Sequence, residues 1–372
     1  MGEWRDVLLG DFAPFSYGKS LPEPSRVAGD VPVYGSNGIV GMHNEHRVDE
    51  SMVVIGRKGS VGEVHYAANG GWPIDTTFYV TSGPKRDVRF TYYLLKHIDM
   101  RHMSFDSAVP GLNRDAAHSL KLLVPLLSEQ RAIAEVLGAL DDKIDANRRI
   151  IANADALWRA HLDQVVDEMY AEGELPNGWE LRPLSSLADF VNGRAFTKDA
   201  TGMGRMVIRI AELNSGPGAS TVYNDIIVED QYLAHPGDLL FAWSGSLTVQ
   251  RWYRDEAIVN QHIFKVIPRA GIPTWFVHGN LLRLLPRYQG IAAGKATTMG
   301  HIQRRDLDVD VAVPAKNPMN QVSPSSECLW LRALGAERES LGLAAIRDTL
   351  LPKLMSGELR VRDAEHVVEA AV

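Results

Sequence analysis

The order of apolar and polar positions divides the chain into turn-rich regions and long helical stretches. Short apolar runs such as Met52–Ile55 and Leu239–Ala242 are each followed by a Gly-Ser turn, as is typical of β-strands. Glycine and proline interrupt most of the segments between such runs. Residues 1–125 and 173–318 are therefore each predicted to form a mixed α/β domain. One helix is predicted in each, at Thr91–Ile98 and at Trp275–Leu285.

The two turn-rich regions are similar to each other. Four short matches occur in the same order: residues 4–12 with 179–190, 52–60 with 239–246, 74–80 with 259–266, and 109–125 with 298–314. The distance in sequence between matched residues is larger for Pro125 and Pro314 than for Trp4 and Trp179. This difference indicates two copies with insertions in loops. Each match is short and could arise by chance, but the shared order favours a duplication.

A long amphipathic helix is predicted between the two copies, from Ser128 to about Met169. Gly138 is its only glycine, it contains no proline, and Ser128 and Glu129 suit a helix start. Its apolar residues keep one heptad register over five heptads. The two series are Leu137, Ile144, Ile151, Trp158 and Val165, and Ile133, Leu140, Asn147, Ala154 and His161. A helix of this length extends roughly 60 Å at 1.5 Å per residue.

A second, less regular helix is predicted after the second copy, from about Ser326 to Leu351. Leu334 and Leu341 are its candidate contact residues, and Pro352 is expected to end it. Two long helices, each following a globular copy, are expected to pack antiparallel and to relate the copies by a pseudo-two-fold axis. A helix pair used only for dimerisation remains an alternative. The predicted fold class is α+β, with helical segments at 126–172 and 319–372.

The net charge of −7 does not decide whether the protein binds nucleic acid. Residues 126–176, which contain the predicted first helix, hold 5 basic and 11 acidic residues, which gives a net charge of −6. The two turn-rich regions are close to neutral. Phosphate binding requires a local cluster of lysine and arginine, which such regions can still provide.

The remaining composition favours a cytoplasmic protein. The single cysteine, Cys328, excludes an internal disulfide and a cysteine-rich metal site. No apolar run is long enough to span a membrane, and the first residues lack the pattern of a signal peptide.

Two segments resemble a known family. VPLLSEQRAIA at residues 124–134, followed by LDDKID at 140–145, resembles the central conserved region of type I restriction–modification specificity subunits. RDTLLPKLMSGEL at residues 347–359 resembles their C-terminal conserved region. With the two-copy layout, the resemblance covers essentially the whole chain. The sequence departs from the family pattern after Pro314, where residues 315–321 replace the segment that usually begins the second helix.

The resemblance implies a division of labour. Each copy would be a target recognition domain that reads one half of a bipartite site in double-stranded DNA. The helices would set the unread spacer and would bind two copies of an adenine methyltransferase subunit, joined by a restriction/translocase subunit. A rigid helix pair between two DNA-binding domains fixes the distance between them, and that distance corresponds to a fixed number of base pairs.

The sequence contains no catalytic motif that would make the chain an enzyme. The methyltransferase Asn-Pro-Pro-aromatic motif and the phosphate-binding P-loop spacing are missing, and residues 243–246 do not form a nucleophile elbow. The pairs His43 and His46, and His97 and His102, lack accompanying ligands. We therefore expect no metal, no cofactor and no catalytic residue.

Base reading requires exposed polar side chains on loops that enter the major groove. In the first copy the matched loops offer Arg57, Lys58, Ser60, Asn113 and Arg114. In the second copy they offer Trp243, Ser244, Ser246, Thr248, Gln250, His301, Gln303, Arg304 and Arg305. Lys19 and Arg194 occupy corresponding loops near the start of each copy and are candidates for phosphate contacts. The alternative for each residue is a solvated turn position.

Two other function classes remain open at this point. One is a degenerate specificity subunit that acts only as a protein-interaction scaffold. The other is an enzyme in its own right, such as a nuclease, which the lack of carboxylate and metal motifs disfavours.

Overall fold

The computed structural model describes residues 4–103, 111–171, 175, 179–294, 300–314 and 316–371, with the backbone alone for 165–171 and 316–323. The chain forms two compact units. The first consists of Met1–Ile144 and Gly342–Val372, and the second of Asp145–Leu341. Each unit therefore combines one turn-rich domain with part of each long helix.

The described residues of the first domain form short helices and three small sheets. Its elements are β1 (Arg5–Leu8), α1 (Leu9–Phe12), β2 (Ser16–Tyr17), β3 (Val31–Gly35), β4 (Gly38–His43), β5 (Met52–Gly56), β6 (Val64–Ala67), β7 (Trp72–Pro73), β8 (Thr77–Thr81), α2 (Val88–Ile98), α3 (Arg114–His118) and β9 (Lys121–Val124), and the long helix α4 (Leu127–Ala171) follows. The sheet orders are β2-β8-β5-β6, β4-β3-β7 and β1-β9.

The second domain is built in the same way. Its elements are β10 (Glu180–Pro183), β11 (Ala188–Asn192), β12 (Arg205–Ile208), α5 (Ile210–Ser215), β13 (Tyr223–Asn224), β14 (Leu233–Ala234), β15 (Leu239–Ala242), β16 (Thr248–Arg251), β17 (Ala257–Val259), β18 (Ile263–Pro268), α6 (Thr274–Ala293) and β19 (Asp310–Val313). The second long helix, α7 (Lys316–Met355), and a final helix, α8 (Val361–Glu369), complete the chain.

The two domains share one sheet topology. The order β11-β18-β15-β16 repeats β2-β8-β5-β6, and every neighbouring pair in both sheets is antiparallel. A parallel pair recurs as well, β3 with β7 and β12 with β17. Both domains are closed by an antiparallel pair of their first and last strands, β1 with β9 and β10 with β19. The duplication inferred from short sequence matches is thus present in the fold.

The mixed fold class and the first long helix are confirmed. The helix α4 begins one residue before the predicted start and ends two residues after the predicted end. Its seam residues Ile133, Leu137, Leu140 and Ile144 lie in the core of the first unit, together with Leu343, Leu350 and Leu354 of α7. Trp158 lies in the core of the second unit with Trp330 and Leu334. Ile151 and Leu341 are partly buried, and the side chain of Val165 lies outside the described residues.

Contacts within the second unit show that the two long helices run in opposite directions there. In the second unit Asn147 Nδ2 donates to Glu339 Oε2 at 2.8 Å, and the His161 Nδ1 atom lies 3.5 Å from the Ser326 hydroxyl. Positions later in α4 therefore meet positions earlier in α7.

The predicted limits of the second helix are wrong. The helix α7 starts ten residues before Ser326 and continues past Pro352 to Met355. Pro318 lies in its first turn, where an N–H has no partner within the helix in any case. Pro352 removes one hydrogen bond in the last turns, but Leu350, Leu354 and Met355 are buried in the core of the first unit. Burial of these apolar side chains offsets the lost bond.

The shorter helices are also longer than predicted. The helix α2 begins at Val88, because the Asp87 carboxylate accepts from the Phe90 amide and caps it. The helix α6 continues through Pro286 to Ala293. Tyr288 and Ala292, beyond that proline, are buried in the core of the second unit.

Each domain is held to the long helices by charged contacts within its unit. In the first unit Arg347 donates to Asp141 at 2.7 Å, and the Tyr93 hydroxyl donates to the same carboxylate at 2.6 Å. In the second unit Arg251 is 4% exposed and donates to Glu337 and Asp155 while lying 5.0 Å from the Trp330 ring centroid.

Candidate nucleic-acid interface

A tight turn follows the central strand β5 and holds three of the candidate residues. In this β5 turn (residues 57–60), the Arg57 amide donates to Thr76 O at 2.9 Å, and Arg57 O accepts from the Leu112 amide at 2.9 Å. Lys58 forms an isolated β-bridge with Gly111. Gly59 has a φ of 79°, which favours glycine over other residues. The β5 turn is therefore fixed between the loop before β8 and the loop before α3.

Arginine and tyrosine side chains cluster around this turn. The Arg57 and Arg114 guanidinium carbons each lie 5.1 Å from the Tyr17 ring centroid, and Tyr17 is 49% exposed. Lys58, the residue after Arg57, is exposed. Burial, and next the charge of Arg114, lower the pKa of His118, whose Nε2 accepts from the Phe15 amide. The cluster presents two cations and an aromatic face, which suit phosphate and base contacts.

The second domain repeats the backbone of this turn. In the β15 turn (residues 243–246), the Trp243 amide donates to His262 O at 3.1 Å, and Trp243 O accepts from the Ile302 amide at 3.1 Å. Ser244 bridges to His301 as Lys58 bridges to Gly111. Gly245 has a φ of 66°. Arg57 and Trp243 thus occupy equivalent positions.

The side chains around the β15 turn differ from those around the β5 turn. Trp243 stacks on Phe264 at 5.8 Å between ring centroids, and its Nε1 donates to Asn192 Oδ1 at 2.8 Å. The His262 ring lies 5.1 Å from Trp243, and the His301 ring 6.3 Å. The second domain therefore presents an aromatic and amide surface where the first presents arginines.

The loops that close the two domains also correspond. Asn113 caps α3, since its Oδ1 accepts from the amides of residues 115 and 116. Gln303 takes the same position before a short 3-10 helix, Arg304–Leu307. Arg114 and Arg304 then fill equivalent sites, and Arg304 donates to Phe190 O at 2.7 Å. Because the Asn113 side chain and the Arg304 guanidinium are both bonded to the backbone, Arg114 and the exposed Arg305 are the better candidates for DNA contacts.

Lys19 and Arg194 follow equivalent close turns. The Gly18 amide donates to Thr77 O, and the Gly193 amide donates to Ile263 O. A Cβ on either glycine would stand 2.0 or 2.2 Å from a backbone oxygen, so only glycine fits. Lys19 and Arg194 are both exposed, and Arg194 lies 4.6 Å from the Tyr232 ring centroid.

The candidate residues differ in how far they reach solvent. Ser246 is exposed in the β15 turn and Ser60 is partly exposed in the β5 turn. Ser244 is only 3% exposed, so its hydroxyl is not on the surface. Thr248 and Gln250 lie on β16 beyond the turn, partly exposed.

Several residues at these sites were missed from the sequence. Tyr17 and Asn192 are cross-strand partners of Phe78 and Phe264, so they occupy equivalent places. His262, at a φ of 73°, lies beside Trp243. His262 lies within the segment 259–266 that matches residues 74–80, so the repeat could have indicated it. Tyr17 and Asn192 lie on strands too short to produce a recognisable sequence pattern.

Comparison with known proteins shows a similarity to one family. A family model described as the type I restriction modification DNA specificity domain matches residues 1–155. The first part of the chain is therefore similar to the type I specificity subunits. The specificity subunit of the type I restriction enzyme MjaIX from Methanocaldococcus jannaschii is 24% identical over an alignment of 308 residues that covers 74% of this chain and 69% of that protein. The EcoprrI specificity subunit from Escherichia coli is 29% identical over 111 residues, 30% of this chain and 28% of that protein.

The fold of the type I specificity subunits is shared as well. The crystal structure of a type I restriction–modification system S subunit from M. genitalium aligns with a TM-score of 0.63 at 16% identity, covering 95% of this chain and 96% of that one. No helix in the described part of the chain is long and apolar enough to cross a membrane. Among the same residues, no group of three or more His, Cys, Asp or Glu side chains could hold a metal ion.

Proposed function

We propose that this specificity subunit binds a bipartite site in double-stranded DNA, with one half-site read by each domain. It directs adenine methylation and restriction that partner subunits perform, and it has no catalytic activity of its own. Residues 1–125 and 173–318 are the two target recognition domains. Residues 126–172 and 319–372 are the helical segments that set the spacer between the half-sites.

One observation carries this proposal: the β5 and β15 turns have the same backbone hydrogen bonds but different side chains. The shared bonds, from Arg57 and Leu112 in one domain and from Trp243 and Ile302 in the other, fix two equivalent platforms. Loops of fixed geometry with variable side chains are suited to reading different base sequences. Two such platforms in one chain favour two different half-sites.

Side-chain chemistry divides the contacts into two kinds. Arg57, Arg114, Ser60 and Ser246 are assigned to base edges, because arginine and small polar groups discriminate bases in the major groove. Trp243, whose Nε1 already donates to Asn192, is assigned to an apolar contact with a base. Lys19, Lys58, Arg194 and Arg305 are assigned to phosphates, which lysine and arginine neutralise without regard to sequence.

The proposed partners are two copies of an adenine methyltransferase subunit and a restriction/translocase subunit. The acidic segment at residues 126–176 suits protein partners better than DNA. The complex acts in the cytoplasm, where its DNA substrate is found.

Selection of DNA by the purified complex tests the proposal. The chain, assembled with its methyltransferase subunit, is incubated with duplexes that carry a random segment, and the retained duplexes are sequenced. We expect two short fixed blocks at a constant separation. A complex that assembles but retains DNA without sequence preference would instead support the scaffold function.

A further inference from the structure

The connection after the central parallel strand differs between the two domains. In the first domain Ser36 and Asn37 join β3 to β4, whereas residues 209–222, which include α5, join β12 to β13 in the second. Both connections lie beside the turns described above. Ser36 Oγ is 3.3 Å from the place of a Cβ on Gly59, and Ile210 Cδ1 is 3.8 Å from the place of a Cβ on Gly245. The second domain therefore has an additional helix at the edge of its candidate DNA surface.

Internal contacts hold α5 in one position. The Glu212 carboxylate is 2% exposed and accepts from the Arg209 guanidinium at 2.6 and 2.9 Å and from the Thr221 hydroxyl at 3.0 Å. Burial raises the pKa of Glu212, but these hydrogen bonds outweigh it, and the resulting pKa lies below the ordinary value. Leu213 packs in the apolar cluster that contains Leu240 and Ala242 of β15.

The exposed side of α5 carries one half of an amide pair. Gln250 Nε2 on β16 donates to Asn214 Oδ1 at 3.4 Å. Among the described residues, Gln250 Oε1 and Asn214 Nδ2 have no hydrogen-bond partner. The pair thus offers one acceptor beside one donor. If the amide nitrogen and oxygen are exchanged in both side chains, the pair still offers one free acceptor and one free donor.

An adjacent acceptor and donor are complementary to the major-groove edge of adenine. Adenine presents the N6 amino donor next to the N7 acceptor, which asparagine and glutamine side chains bind in preference to other bases. We propose that the Asn214–Gln250 pair reads an adenine in the half-site bound by the second domain. This inference rests on the proposed function and adds a specificity-determining element that the first domain lacks.

Motif determination with single variants tests the adenine assignment. The chain is expressed with its methyltransferase subunit, and host DNA is sequenced for methylation with wild type, Asn214→Ala and Gln250→Ala. Each variant should relax one adenine of the second half-site, with methylation of sites that lack this adenine rising roughly ten-fold. The first half-site should not change. Gln231→Ala, which removes an exposed amide elsewhere in the same domain, should leave both half-sites intact.

Asn214→Asp covers the case in which alanine variants fail to assemble. The aspartate keeps the shape of the side chain but replaces its donor by an acceptor, so preference should move from adenine towards cytosine at the same position. An unchanged second half-site in all three variants would overturn the adenine assignment. A wild-type chain that directs no methylation motif would overturn the proposed function itself.

Discussion

At the scale of single residues, equivalent backbone positions carry unlike chemistry in the two domains. Arg57 corresponds to Trp243 through the same pair of backbone hydrogen bonds. Tyr17 corresponds to Asn192 through the same cross-strand register. A fixed backbone with exchanged side chains is the arrangement expected when two surfaces of one fold read different sequences.

Removal of the Arg57 guanidinium should weaken binding of the first half-site. An arginine that contacts a guanine edge contributes about 1–3 kcal/mol of discrimination, so Arg57→Ala should relax one position of the first half-site by roughly five-fold or more. The second half-site should be unaffected. Binding of the purified complex to duplexes with single substitutions measures both effects.

Arg131→Ala is the matched control for this experiment, because Arg131 is an exposed arginine of α4 with the same charge. Equal losses in Arg57→Ala and Arg131→Ala would mean that Arg57 contributes only net charge. Such a result would contradict its assignment to a base edge.

His278 should make the stability of the second unit depend on pH. Burial, followed by the charges of Arg251 and Arg159, lowers its pKa from 6.5 to about 3. Its Nδ1 accepts from Trp330 Nε1 at 3.1 Å, which requires the neutral ring. Because the unfolded histidine binds a proton below pH 6.5 while the folded one does not, the free energy of unfolding should fall as the pH drops from 6.5 towards 3.

Denaturant unfolding at several pH values measures this dependence. His278→Gln keeps an acceptor for Trp330 but does not titrate, so its free energy of unfolding should fall less steeply over that range. His366→Gln, which makes the same substitution at an exposed histidine of α8, is the matched control. Equal slopes for His278→Gln and wild type would refute the role assigned to the buried ring.

At the scale of elements, the long helices are stabilised by their apolar seam. Leu137 of α4 is fully buried in the core of the first unit, which also contains Leu343 and Leu350 of α7. Leu157 lies on the same helix but is 51% exposed. Burial, and not helix propensity alone, therefore distinguishes the two leucines.

Substitution of each of these two leucines by alanine compares a buried position of the apolar seam with an exposed position of the same helix. Leu137→Ala should lower the free energy of unfolding by about 2–5 kcal/mol, because it leaves a cavity in a packed core. Leu157→Ala should change it by no more than about 0.5 kcal/mol. Urea unfolding followed by circular dichroism provides the comparison. Similar effects of both variants would show that the seam is not a packed interface.

Heptad periodicity predicted α4 well because every seam position follows from local spacing, without knowledge of the rest of the chain. The limits of α7 were missed because prolines are read locally as helix breakers. Tertiary packing of Leu354 and Met355 extends the helix past Pro352, and no local pattern reports that packing.

At the scale of the whole molecule, the repeat was the most informative signal. It located the β5 and β15 turns, and therefore Arg57 and Trp243, in advance. It could not show that the Ser244 hydroxyl is buried or that Asn214 pairs with Gln250, because both facts depend on contacts between strands and loops distant in sequence. Residue type and repeat position thus predicted which turns are equivalent in the two domains, but not all of the side chains that surround them.

The central claim is that this chain determines which DNA sequence its system methylates. Single-molecule methylation sequencing of host DNA, with the gene intact and with it deleted, tests that claim most directly. We expect an adenine-methylated motif of two short blocks with a constant spacer, present with the gene and lost on its deletion. A methylation pattern that is the same in both strains would contradict the claim.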